Sequence, residues 1–149
     1  MIVRKYPADF GHTTVINNLC IELQKMGYKA GIGAFDFVSS PPKNIEQVKL
    51  NKFQLFLHGV KTIDYDFILL HQSYPSYFLL TRKPNKPIIL YYHGASNLIQ
   101  RINFKISMML YKKRMSKIRS VSQAGINQMK KMIGDVSAKV IDNGVDTAF

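Results

Sequence analysis

Residues 66–94 read DFILLHQSYPSYFLLTRKPNKPIILYYHG, and this stretch decides the fold. Phe67–His71 and Ile88–Tyr92 are compact apolar runs of strand length, the pattern expected of parallel strands buried on both faces. Each run leads to a histidine, His71 and His93, where the chain leaves the sheet. Between them Tyr74–Thr81 has the length of a brief helix, and Arg82–Pro87 is a polar loop bounded by proline.

Working outward toward the N-terminus, Ile2–Tyr6 reads as a short strand and Pro7–Gly11 as a turn. Val15, Ile16, Leu19, Leu23 and Met26 recur at helical spacing, and Gly27 stops that helix. Lys29–Phe37 reads as a second strand. Pro41–Pro42 breaks the chain, and residues 44–63 combine a short strand near Val48 with a helix over Lys52–Val60. In the other direction Leu98–Ser116 is the longest helix candidate, with Ile99, Ile102, Ile106, Met109 and Leu110 as its apolar stripe. Ile118–Val121 follows as a strand, and Ser122 caps a helix over Gln123–Met132. Lys139–Asp142 is a last strand and Asn143-Gly144 a turn. Strands alternating with helices predict an α/β fold, a Rossmann-like doubly wound parallel sheet with helices on both faces. Ligands of such sheets bind beyond the carboxyl ends of the strands, where the strand order reverses.

The chain has 149 residues, 46% of them hydrophobic, which suits one domain with a real core. No uninterrupted apolar run approaches the roughly 18 residues that cross a bilayer. Arg4 and Lys5 are followed by Pro7, Ala8 and Asp9 rather than by a signal peptide's apolar stretch. One cysteine, Cys20, excludes an intrachain disulfide framework and a Cys-rich zinc site. Together these predict a reduced, intracellular, cytoplasmic domain. The net charge is +12, and no acid occurs between Asp66 and Asp135 while twelve basic residues do. Such a segment holds a positive potential toward phosphate, nucleic acid or an anionic membrane face.

Three segments in register resemble the N-terminal domain of GT-B glycosyltransferases of the family 4 type. Gly11-His12-Thr13-Thr14-Val15-Ile16-Asn17-Asn18-Leu19, continuing to Leu23 and Gly27-Tyr28-Lys29-Ala30, is similar to that family's glycine loop, first helix and second strand. Asp66–His71 and Pro87–Gly94 resemble its pair of central strands, each ending in histidine. Ile118–Ser122 and Lys139–Asp146 resemble its strand-serine-helix unit and the Asn-Gly-Val-Asp passage into a second domain. The family often has two adjacent glycines in the first loop; here Gly11 is followed by His12. Nor does Gly31-Ile32-Gly33 continue into a Gly-x-Gly-x-x-Gly dinucleotide fingerprint, since Asp36 stands at the third glycine position.

The resemblance implies that residues 1–149 are the acceptor-side Rossmann-like domain of a retaining glycosyltransferase. The donor-binding domain, with its Glu-x7-Glu motif, would lie beyond the chain, and transfer would need both halves. It implies a nucleotide-sugar donor substrate, no metal or other cofactor, and an acceptor that in several such enzymes is lipid-linked at the cytoplasmic leaflet. His93 becomes the candidate catalytic residue, able to hydrogen-bond a sugar hydroxyl or charge developing in the transition state. Gly11, which lets backbone N–H groups approach a phosphate, is a substrate-binding candidate together with His71, Ser73 and Gly94. His12 and His58 rank below them. Asp142, Asn143 and Asp146 would shape the interdomain hinge.

For the Leu98–Arg119 region, the simpler expectation is that the apolar stripe packs on the sheet and the charges stay in solvent. The other expectation is a membrane-surface element at the inner face of the membrane. Outside catalysis the alternative function is a basic module binding nucleic acid or anionic membrane. Nucleic acid is disfavoured because the aromatic residues are not interleaved with the basic ones as a stacking platform requires.

Overall fold

The structure is a computed structural model that describes residues 1–8, 12–59, 63–82 and 86–141. Gly11, Asp142, Asn143, Gly144 and Asp146 lie outside the described residues. Seven strands form one parallel sheet in the order β3-β2-β1-β4-β5-β6-β7. In chain order the elements are β1 (Ile2–Tyr6), α1 (His12–Lys25), β2 (Gly31–Phe37), β3 (Glu46–Lys49), α2 (Lys52–His58) and β4 (Ile68–His71). They continue with α3 (Phe78–Thr81), β5 (Ile88–Tyr92), α4 (Leu98–Tyr111), β6 (Lys117–Ser120), α5 (Gln123–Ile133) and β7 (Ala138–Val140).

Neighbouring residues of β1 point to opposite faces, and each joins its own core. Ile2, with Leu70, Leu90 and Ile118, packs against α2 through α5, whose contributions include Leu55, Leu80, Phe104 and Met129. Val3, with Ile32 and Ala34, packs against Ile16 and Cys20 of α1. The chain therefore leaves β1 toward one edge with α1 on one face, then returns and proceeds toward the other edge with four helices on the opposite face. Right-handed crossovers in opposite directions require that division.

Local chemistry explains where the helices start and stop. Asn51, Asn97 and Ser122 each accept a hydrogen bond from an otherwise orphaned N–H in the first turn of α2, α4 and α5. Past the end of α1, Gly27 has φ +85°, with Gly27 N bonded to Gln24 O and Tyr28 N to Leu23 O.

The structure corrects the expectations at several boundaries. The second strand begins at Gly31 rather than Lys29, and Phe67 is exposed before β4 begins at Ile68. The long helix ends at Tyr111, after which Lys112–Arg114 form a single 3₁₀ turn. The larger correction concerns which side of α4 is buried. Phe104, Ser107, Met108 and Tyr111 face the sheet, while Ile99, Ile102, Ile106, Met109 and Leu110 face away from it.

Candidate active site

β1 is flanked by β2, which follows it in the chain, and by β4, which does not, so the strand order reverses between β1 and β4. An open crevice forms outside the carboxyl ends of the strands at such a point. Here it is a cleft of about 740 Å³, lined by residues from β1, β4, the loop after β5 and the first turns of α1 and α4.

His71 is the last residue of β4 and is buried, in register with Tyr91 of β5. His93 stands one residue past β5 and is half-buried. His71 Nδ1 lies 3.1 Å from His93 Nε2. The imidazole of His12, the first residue of α1, also lies against His93, tilted by 36° with ring centroids 4.2 Å apart. Tyr91 presents its ring edge-on to both His71 and His93. Among the described residues no group of three or more His, Cys, Asp or Glu converges as metal ligands would.

Burial, followed by the neighbouring imidazole of His93, holds His71 well below the ordinary histidine range. Burial and the adjacent His12 push His93 down to about 4. Both rings are therefore neutral near pH 7, and a single proton serves the bond between them. His71 Nε2 is buried without a hydrogen-bond partner. A buried orphan N–H is rarer than an under-satisfied acceptor, so the favoured tautomer carries its hydrogen on His71 Nδ1 and donates to His93 Nε2. His93 then carries its own hydrogen on Nδ1.

Backbone geometry fixes the two strand ends to each other. Gln72 has φ +64°, and its Nε2 donates to Gly94 O at 3.2 Å. Gly94 itself has φ +103°, a conformation that favours glycine. Gln128 of α5 clamps the same loop: its Oε1 accepts from Tyr92 Oη and from Ala95 N, and its Nε2 donates to Ala95 O. A non-glycine residue at positive φ beside a cleft is strain of the kind that functional sites retain.

His71, Ser73 and Gly94 all line the cleft. His93 does not form its wall; it is held between His12 and His71, both of which do. Gly11 lies outside the described residues, although its neighbour His12 opens α1 at the cleft. The sequence ranks His12 low and sets Gln72 with His71 and Ser73 at the end of the central strand; Gln128 alone escaped it. The glycine loop was a usable signal for His12, since the residue after it must open the helix facing the strand ends. Nothing in the spacing of Gln128 distinguishes it from a surface glutamine. Among the described residues the cleft rim also carries Arg4, Lys5 and Lys52 with one acid, Asp36, and the Arg4 guanidinium lies over the Tyr74 ring at 5.6 Å.

A parallel doubly wound sheet with its cleft at the strand-order reversal, rimmed by cations and backed by His71 and His93, defines the class of open α/β folds that bind ligands beyond their strand ends. Residues 11–149 match the family model described as Glycosyltransferase Family 4, and the chain belongs to that family. Its role is of the glycosyltransferase type, with a sugar donor and an acceptor as the ligands in general terms. No individually curated protein shows significant sequence similarity to the chain.

Proposed function

We propose that residues 1–149 form the acceptor-side domain of a retaining glycosyltransferase, and that the cleft receives an acceptor hydroxyl for a sugar presented by a nucleotide-sugar donor. The observation that carries this is the meeting of His12, His71 and His93 at the reversal in strand order. The N–H on His93 Nδ1 would hold a hydroxyl of the donor sugar while the anomeric bond to the diphosphate breaks. Negative charge then grows on the leaving diphosphate, where helix N-termini and cations stabilise it. The N-terminus of α1, together with Arg4 and Lys52 at the rim, supports that assignment. Gly11, Ser73 and Gly94 would contact substrate, with His71 orienting His93. The chemistry proposed needs no metal.

Two measurements test this. Incubation of the intact protein with a panel of nucleotide sugars and hydroxyl acceptors, followed by NMR of the product, is expected to give a glycoside of unchanged anomeric configuration. An inverted product would overturn the retaining chemistry, and failure of transfer across the panel would overturn the activity. The coding frame beyond codon 149 tests the division of labour. A second Rossmann-like domain with a Glu-x7-Glu motif supports it, and the 149-residue chain alone is then expected to transfer little or no sugar. Full transfer by that chain alone would contradict it.

A further inference from the structure

The helix α4 has two apolar faces, and only one of them is covered. At about 100° per residue, the buried set Phe104, Ser107, Met108 and Tyr111 and the outer set Leu98, Ile99, Ile102, Ile106, Met109 and Leu110 are centred about 170° apart. The outer set is exposed: Leu98 by 70%, Ile99 by 71% and Met109 by 86%. Six large aliphatic side chains in one continuous stripe exceed the scattered apolar residues normal for a surface.

The flanks of this stripe differ. On one side stand Arg101 and Lys105, both exposed. Among the described residues the ion pairs all lie between Glu22 and Asp64, so no carboxylate neutralises these cations. No acid occurs anywhere from Phe67 to Gly134. On the other side lie Gln100 and Asn103, which line the cleft. The apolar stripe therefore separates a cationic ridge from the cleft mouth.

We infer that the outer face of α4 docks on an anionic lipid bilayer, its aliphatic stripe entering the headgroup–acyl boundary while Arg101 and Lys105 meet lipid phosphates. An apolar face bordered by cations is the composition of a helix that lies in the interface. Among the described residues no helix is long and apolar enough to cross a membrane, so the contact is peripheral. A second copy fits less well, because pairing two such faces brings four uncompensated cations together without a carboxylate. Docking this way sets Gln100 and Asn103 beside the headgroups and turns the cleft mouth toward the bilayer. Resting on the function proposed above, the acceptor class is then a lipid-anchored hydroxyl, delivered from the membrane plane.

Co-sedimentation of the intact protein with vesicles tests the docking, using phosphatidylcholine alone and phosphatidylcholine with phosphatidylglycerol. Binding is expected only to the anionic vesicles at physiological salt. The Ile99→Ser/Ile106→Ser/Met109→Ser variant and the Arg101→Glu/Lys105→Glu variant should each lower the partition coefficient at least about tenfold, with unchanged melting temperatures. Absence of binding to anionic vesicles overturns the inference. So does loss in the charge variant alone, which means polyanion attraction without insertion, or a stripe-dependent dimer in sedimentation equilibrium. Salt-sensitive retention on duplex DNA with none on vesicles also overturns it. Transfer to a water-soluble acceptor by the stripe variant separates the two claims. It should persist if only docking is lost, whereas its absence in the wild-type protein counts against the transferase function itself.

Discussion

His93 occupies a place where one nitrogen is spent on structure. Its Nε2 faces His71 Nδ1 at 3.1 Å, and the remaining nitrogen is a donor in the favoured tautomer. That state depends on neutrality. With a folded-state value of about 4 against an ordinary 6.5, the unfolded chain binds the proton more readily than the folded one. The stability is therefore fully present above about pH 6.5 and declines as pH falls toward 4, with His71 acting in the same direction. Thermal melts from pH 8 to 4 should show that decline, and it should be shallower in His93→Gln; an unchanged slope would contradict the assignment. Gly94 gives a second prediction. A Cβ there would meet only Gln128 Oε1 at 3.9 Å, so space is available and the cost of Gly94→Ala is conformational. At φ +103° we expect a loss of about 1–2 kcal/mol in urea denaturation. At this scale the sequence told unevenly. The histidines at the ends of two buried runs were legible because strand ends reveal themselves by composition. Gln128 was not, because its importance lies in a partner 33 residues away.

The element that matters most for the site's shape is α5, because one of its side chains holds the loop after β5. Gln128→Leu removes the partners of Tyr92 Oη, Ala95 N and Ala95 O and leaves buried polar groups unsatisfied. A loss of about 2–4 kcal/mol is expected, measured as a shift in denaturation midpoint. A change below ~0.5 kcal/mol would mean that the loop holds its conformation without the clamp. Against the sheet, Gly125 of α5 sits over Ser120 of β6, so closely that a Cβ at Gly125 would collide with Ser120 Oγ. Gly125→Ala should cost about 1–3 kcal/mol by overpacking, and Ser120→Gly should recover part of it. The helix α4 shows why periodicity alone could not orient an element. Its sequence satisfies helical spacing twice, once through the isoleucine stripe and once through Phe104, Ser107, Met108 and Tyr111. Volume and partners decide between them. Phe104 packs against Tyr92 with ring centroids 4.6 Å apart, and Tyr111 Oη donates to Tyr74 O. Aromatic bulk filled the core, and the branched aliphatics were left outside.

For the molecule as a whole, the succession of strands and helices along the chain was legible because parallel strands advertise themselves as short apolar runs separated by helical segments. β4, β5 and α5 fell within a residue of expectation, since Ile68–Leu70 and Ile88–Leu90 have no amphipathic alternative and Ser122 caps through Gly125 N. The cluster of three histidines at the cleft was only half visible, because a periodic pattern says nothing about which loop descends onto which strand end. The sheet topology supplies that information by setting β1 beside β4, so that the start of α1 meets the ends of β4 and β5. The claim on which the rest depends is that sugar transfer takes place where these rings meet. Turnover of the complete enzyme carrying His93→Ala measures it most directly, alongside a melting curve showing that the variant is folded. The expected result is a kcat at least about tenfold lower with the fold retained. A folded His93→Ala enzyme that turns over at the wild-type rate would place the chemistry elsewhere.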